Sequence, residues 1–232
     1  MKVAPLASSI HKWLALIVGV QMLFWVGSGL FFAIYPIEEV RSEHRIAEMH
    51  TTAPLPERAP SELAALLPEA PSRLVYESTS AGEAVAVAEF HARRPILINL
   101  DDWRVASPIS AEAAEQIARA YITGNPRVRE AQLVTEESPE YRGVLPAWRI
   151  AFDDAEGLAV YVAADTARVT ARRSDLWRVY DALWALHIMD WRDHENFNTG
   201  LLIATSFTSL IVLLAGFVLF PYRLRLRIKR AG

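Results

Sequence analysis

Six histidines and no cysteines limit the metal and redox chemistry open to this 232-residue chain. Without cysteine there is no disulfide, no thiolate metal site and no thiol redox centre. Imidazole remains, as a metal ligand or a proton carrier. His187, Asp190 and His194 stand at i, i+3 and i+7. An unbroken helix puts all three on one face as a nitrogen and oxygen site for zinc or copper, with Glu195 as a fourth donor. The competing reading of that stretch is a polar loop, with Asn198 capping the helix that follows. His44 and His50 lie among Glu39, Glu43 and Glu48, either a cation site or a solvated charged segment. His91 ends a strand-like run beside Arg93 and Arg94 and reads as a surface histidine. There is no G-x-S-x-G, H-E-x-x-H, P-loop or dinucleotide fingerprint. The paired acids Asp101–Asp102 and Asp153–Asp154 flank strands, on which neighbours point to opposite faces, so no catalytic residue is nominated.

Two apolar, charge-free runs, residues 14–35 and 201–222, must position these groups. Each has 22 residues, and about 20 are needed to cross a bilayer core of about 30 Å. The first exceeds the apolar region of a cleaved signal peptide, about 7 to 15 residues, and no small-residue cleavage site follows, so it reads as a retained anchor. Arg223, Arg225, Arg227, Lys229 and Arg230 follow the second run, which keeps that end cytoplasmic. Two spans return the chain to its starting side, placing the N-terminus with Lys2 and Lys12 inside and residues 36–198 outside. The outer segment holds 17 Lys and Arg against all 27 Asp and Glu, a net of −10, which excludes nucleic acid as a partner.

Between the spans the sequence reads as one pattern written twice. Residues 36–60 form a charged stalk and a linker broken by Pro54, Pro56 and Pro60. In a first half, 61–104, a short helix at 61–67 precedes strands at 73–77, 84–90 and 95–100. In a second half, 105–173, Ser110 caps a helix on which Ala114, Ile117 and Tyr121 recur at helical spacing. Gly124, Asn125 and Pro126 stop it, and strands follow at 128–135, 147–152, 158–162 and 168–172. A helix on a small antiparallel sheet, repeated, is an α+β ectodomain. Residues 174–198 give an aromatic amphipathic helix and a loop. That helix either lies along the outer membrane boundary or packs under the ectodomain.

The run Tyr161-Val162-Ala163-Ala164-Asp165-Thr166-Ala167-Arg168-Val169, preceded by Trp148-Arg149-Ile150, resembles the PepSY hairpin pattern Y-V-D-A-x-T-G-x-V, with Ala163 for the Asp and Ala167 for the Gly. The flanks His11-Lys12-Trp13, Trp25-Val26-Gly27-Ser28-Gly29 and Leu183-Trp184-Ala185-Leu186-His187-Ile188-Met189-Asp190 resemble those of membrane-associated PepSY proteins. The resemblance implies a tandem PepSY-like helix-on-antiparallel-sheet ectodomain between two transmembrane helices, 13–35 and 199–222, with cytoplasmic ends 1–12 and 223–232. It implies a bacterial inner membrane with a periplasmic domain that binds or modulates a peptide or protein without catalysis. Some relatives are implied to carry electrons through b-type haem, which makes His11 and His187 candidate ligands. They stand at opposite ends of the spans, so bis-histidine ligation needs a second protomer. The alternatives are an interfacial His11, no cofactor at all, and a role in assembling a larger membrane complex.

Polar and small residues recur along both spans. His11, Leu14, Val18, Gln21, Trp25 and Ser28 form one stripe, and Ala15, Gly19, Met22, Val26, Gly29 and Ala33 an adjacent one. Thr205, Ser209, Val212 and Gly216 form a comparable face on the second span. Such faces suit helix packing within the chain or across a homodimer.

Overall fold

Alternation of apolar residues builds one unit of this protein, Ile37–Arg178, and helical periodicity builds the other, Met1–Pro36 with Val179–Gly232. The computed structural model describes the backbone of residues 3–48 and 60–230. His50 and most of the proline-rich linker lie outside the described residues.

In the first unit, α2 (Ile37–Val40) and a 3-10 turn (Glu43–Arg45) precede α3 (Pro60–Ala64) and a four-stranded antiparallel sheet. Its strands, β1 (Arg73–Ser78), β2 (Ala84–Glu89), β3 (Ile96–Asn99) and β4 (Arg104–Val105), lie in sequence order. Then come α4 (Ala111–Tyr121) and a second antiparallel sheet, β5 (Arg127–Val134), β6 (Ala147–Asp153), β7 (Ala159–Ala163) and β8 (Val169–Arg173), again in sequence order. The α+β class and the repeated order of helix, then strands, therefore hold. Ser110 caps α4 by accepting from Ala113 N–H at 3.3 Å, and Ala114, Ile117 and Ala118 give the helix one buried face.

Register decides which side chains meet. Val87 pairs with Leu97 and Ala86 with Ile98, so the first sheet buries both faces. Val85, Val87 and Leu97 join a core with Ile150, Phe152, Val160 and Val162 of the second sheet and the apolar face of α4. Ala86 and Ile98 pack on Leu63 of α3. Arg168, in the β7–β8 turn, clips the halves together. Its Nε donates to Glu77 Oε1 at 2.7 Å, its second terminal nitrogen to Glu77 Oε2 at 3.1 Å, and the remaining one to Glu89 at 3.4 Å. This two-toothed pairing raises the affinity of Arg168 for its proton, mainly through the Glu77 hydrogen bonds.

The segment 37–48 is not a free stalk. Ala47 N–H donates to the Tyr121 carbonyl, Thr123 N–H to that of Arg45, and Arg45 pairs with Asp154 and Glu156, both at 3.0 Å. Val40 is buried beside these bonds.

On the outer side of the second sheet, Tyr141 stacks on Tyr161 with centroids 4.3 Å apart and rings 2° from parallel. The Tyr141 hydroxyl donates to the Val144 carbonyl at 2.9 Å and meets Thr170 Oγ1 at 2.8 Å. A Cβ at Gly143 would lie 2.6 Å from that ring, which is fixed on all sides. Gly143→Ala is therefore expected to destabilise the domain by about 1 to 3 kcal/mol, the range for overpacking. A thermal melt of the full chain checks it, and an unchanged midpoint would refute the fixed ring.

The other unit contains α1 (Val3–Ile34), the end of α5 (Asp175–Ile188) and α6 (Gly200–Arg230). Within them His11–Ile34 and Gly200–Phe217 are long and apolar enough to cross a membrane. Only 11% and 6% of these windows are buried, unlike a helix in the core of a soluble protein. Leu23, Val26, Leu30, Phe207, Leu214 and Phe217 all point outward. α1 and α6 touch, and among the described residues Val18 and Ser28 are the buried positions of α1.

Candidate functional site

His187, on the last turn of α5, is bonded to α1 through both its ring and its carbonyl. Ser28 Oγ lies 2.7 Å from its Nδ1, and Trp25 Nε1 donates to its carbonyl at 2.7 Å. Trp184 lies parallel to the imidazole at 6.3 Å and 3°, and Phe32 approaches at 5.6 Å. Phe32 also packs on Tyr180 at 4.6 Å. Tyr180, Trp184 and His187 of the aromatic stripe of α5 thus pack on Phe32 of α1. Burial lowers the pKa of His187, so the ring is neutral at neutral pH. A neutral imidazole in an aromatic enclosure can accept a proton or ligate a metal through whichever nitrogen lacks hydrogen.

His187, Asp190 and His194 do not form the metal face expected of a continuous helix. The helix ends at Ile188, and Met189 and His194 both take left-handed backbone angles, φ 55° and 56°. His194 Nδ1 instead pairs with Asp181 Oδ2 at 2.6 Å, while its carbonyl accepts from Trp184 Nε1 at 3.1 Å. Asp190 faces the backbone, its two oxygens accepting from the N–H groups of Arg192, Asp193, Glu195 and Asn196. Glu195 meets Asp190 through its backbone and not as a fourth metal ligand. Among the described residues no three His, Asp or Glu side chains are arranged to hold a metal ion.

Asp190 is therefore a structural anchor. The Asn196 N–H first, then those of Asp193, Glu195 and Arg192, hold its carboxyl at about 2, against an ordinary 3.8. A depressed folded-state pKa gives stability that is present above about 4 and lost as the pH falls through about 2. Protection of the amides in loop 190–196, exchange being divided by its intrinsic rate at each pH, should therefore fall across that window. In Asp190→Asn it should already be low at pH 7 and flat below pH 4. Exchange in the variant that matched the parent at pH 7 would contradict this anchoring.

At the other end of the spans, His11, Val212, Leu213, Gly216 and Phe217 line an apolar groove of about 460 Å³. Seventeen residues separate His11 from Ser28, roughly 25 Å along a helix, so one chain does not bring His11 and His187 together. The stripe of Ala15, Gln21, Trp25 and Ser28 is wholly or partly buried, whereas Leu14, Met22 and Val26 face outward. On α6, Thr205, Ser209, Val212 and Gly216 are partly buried. A Cβ at Gly19, Gly29 or Gly216 would meet nothing within 4 Å, so the contact between α1 and α6 does not require glycine there. Ser209 Oγ donates to the Thr205 carbonyl of its own helix at 2.7 Å. Gln21 Nε2 is buried without a hydrogen-bond partner.

No family model matches this chain. No curated protein or solved structure matches it either. His44 lines a cavity of about 340 Å³ with Glu39, Glu156, Ser174 and Asp175, and reaches Glu156 at 3.4 Å. Arg45 holds the same Glu156, and Arg178 holds Asp175 at 2.7 Å, so cations of the fold already occupy two of the three acids. Glu43 lies in the 3-10 turn, away from the cavity lining. His91 is exposed in the bend after β2. Sequence spacing found His187 but not its partner Ser28, which is 159 positions away.

Proposed function

We propose that this chain is a two-span inner-membrane protein of a Gram-negative bacterium. Both termini are cytoplasmic, and residues 36–198 form a periplasmic PepSY-like module that binds or modulates a peptide or protein partner without catalysis. The observation that carries this reading is the repeat itself, a helix followed by an antiparallel four-stranded sheet, twice, flanked by two apolar helices. The hairpin adds support. Ala167 takes φ 58°, a backbone region favouring glycine, at the place where the PepSY pattern has Gly. The edge strand β5, exposed at Arg127, Arg129, Glu130, Gln132 and Leu133, suits an extended peptide, which adds as a strand through main-chain hydrogen bonds. Photo-crosslinkers placed along β5 and β8 of the full chain in native membranes are expected to capture one discrete partner. Capture of nothing from either edge, with the chain intact and folded, would count against the reading. Reporter fusions after Gly232 should report a cytoplasmic location.

A second reading, a haem-dependent electron-transfer subunit, is favoured by the treatment of His187. Its ring is neutral, hydrogen-bonded at Nδ1 and enclosed by Trp25, Phe32 and Trp184, which fits an axial ligand offering Nε2. His11 beside its apolar groove supplies a comparable ligand at the other end. Given their separation, each would pair with its copy in a homodimer or with another subunit. Bound haem would supply a one-electron carrier; the chain supplies the ligands and an apolar, water-poor setting. Visible spectra of protein from haem-replete cells decide between the readings. A Soret band lost in His11→Ala or His187→Ala supports electron transfer, and a colourless folded protein removes it.

A further inference from the structure

The geometry points to Ser28 as the residue that fixes the tautomer of His187. We propose that it holds the ring as the Nδ1–H form, so that Nε2 carries the lone pair and the Nε2 side becomes the ligating side. The inference deepens the haem reading and rests on it only for what Nε2 would bind.

Ser28 Oγ lies 2.7 Å from the Phe24 carbonyl oxygen, four residues back on the same helix, and 3.2 Å from that of Trp25. Two oxygens this close with no hydrogen between them repel, so the single hydroxyl proton points to Phe24. Ser28 is 2% exposed, which leaves no room for water to change that arrangement. Toward His187 Nδ1, at 2.7 Å, the hydroxyl then presents only a lone pair. Nδ1 must donate. A neutral imidazole has one N–H, so Nε2 is bare.

Neighbouring groups keep the ring in place. The Trp25 Nε1–H bond to the His187 carbonyl ties the last turn of α5 to α1. Trp184 and Phe32 flank the ring. Trp25 lies 6.5 Å from it, tilted by 51°. Ser28 is thus a positioning residue acting through His187. Ligating histidines generally donate their other ring N–H to a fixed acceptor, and here a serine back-bonded to its own helix fills that role.

The tautomer can be read without haem. Full-length protein, 15N-labelled at histidine and held in lipid nanodiscs without haem, is compared with His187→Asn to identify the two ring signals. The expected spectrum has a protonated Nδ1 and an unprotonated Nε2. Ser28→Ala should move the tautomer ratio by about tenfold toward Nε2–H, the scale of one hydrogen bond, and Ser28→Thr should restore it. An unchanged melting midpoint confirms that the variants fold. An Nε2–H ring in the parent protein, or a ratio indifferent to Ser28→Ala, would overturn the proposal. Protein that is colourless when purified from haem-replete cells, yet shows the Nδ1–H ring in the haem-free nanodiscs, would sink the haem reading while upholding the Ser28 assignment.

Discussion

Phe152→Ala is expected to destabilise the Ile37–Arg178 unit by about 3 to 5 kcal/mol, a large share of the 5 to 15 kcal/mol typical of a domain. Phe152 is fully buried on β6 and belongs to the core shared by both sheets and α4. Removing its ring opens a cavity among Val85, Val87 and Leu97 of one half and Ile150 and Val160 of the other, and neither half can collapse without pulling on its own register. The midpoint of a thermal melt should fall by on the order of 10 °C. Leu133→Ala is the contrast, since Leu133 is 44% exposed on the edge strand β5 and its loss should stay within about 0.5 kcal/mol. Equal shifts for the two variants would mean that the halves do not share a core.

Leu23→Asp carries the second large effect, and it separates a bilayer from water. Leu23 is 74% exposed and lies near the middle of the apolar window His11–Ile34. In water an aspartate at such a position would change stability by less than about 0.5 kcal/mol. In hydrocarbon the same residue costs about 2.5 to 3.5 kcal/mol at the centre of a span. The membrane-integrated fraction of newly made chain should therefore drop severalfold, while Leu23→Ile leaves it unchanged. Insertion of the aspartate variant at the parent level would place that face of α1 in contact with something other than lipid.

How much was legible beforehand depends on the range of the interaction concerned. Strands of the second sheet were readable to within about a residue, because Pro139, Gly143, Gly157 and the turn at Asp165 separate strand-forming runs that become β5 to β8. The two-residue β4 was not, since Arg104 and Val105 become a strand only by pairing with Asn99 and Ile98. The docking of residues 37–48 was hidden for a similar reason. Val40 and Ile46 are too few to mark a face, and the bonds that fix the segment come from Tyr121, Thr123 and Asp154. The expected helical face does not form because the helix ends at Ile188, before Asp190, whose carboxylate accepts from four backbone N–H groups. Spacing alone could not tell these outcomes apart. The buried stripe of α1 was readable from period, yet the meeting of Ser28 with His187 depends on how α5 lies on α1.

On the proposed reading, lipid surrounds α1 and α6, and extraction of isolated membranes with alkaline carbonate separates an integral chain from a peripheral one. The full chain should sediment with the lipid and enter solution only with detergent. Recovery of the folded chain in the carbonate supernatant would contradict the account.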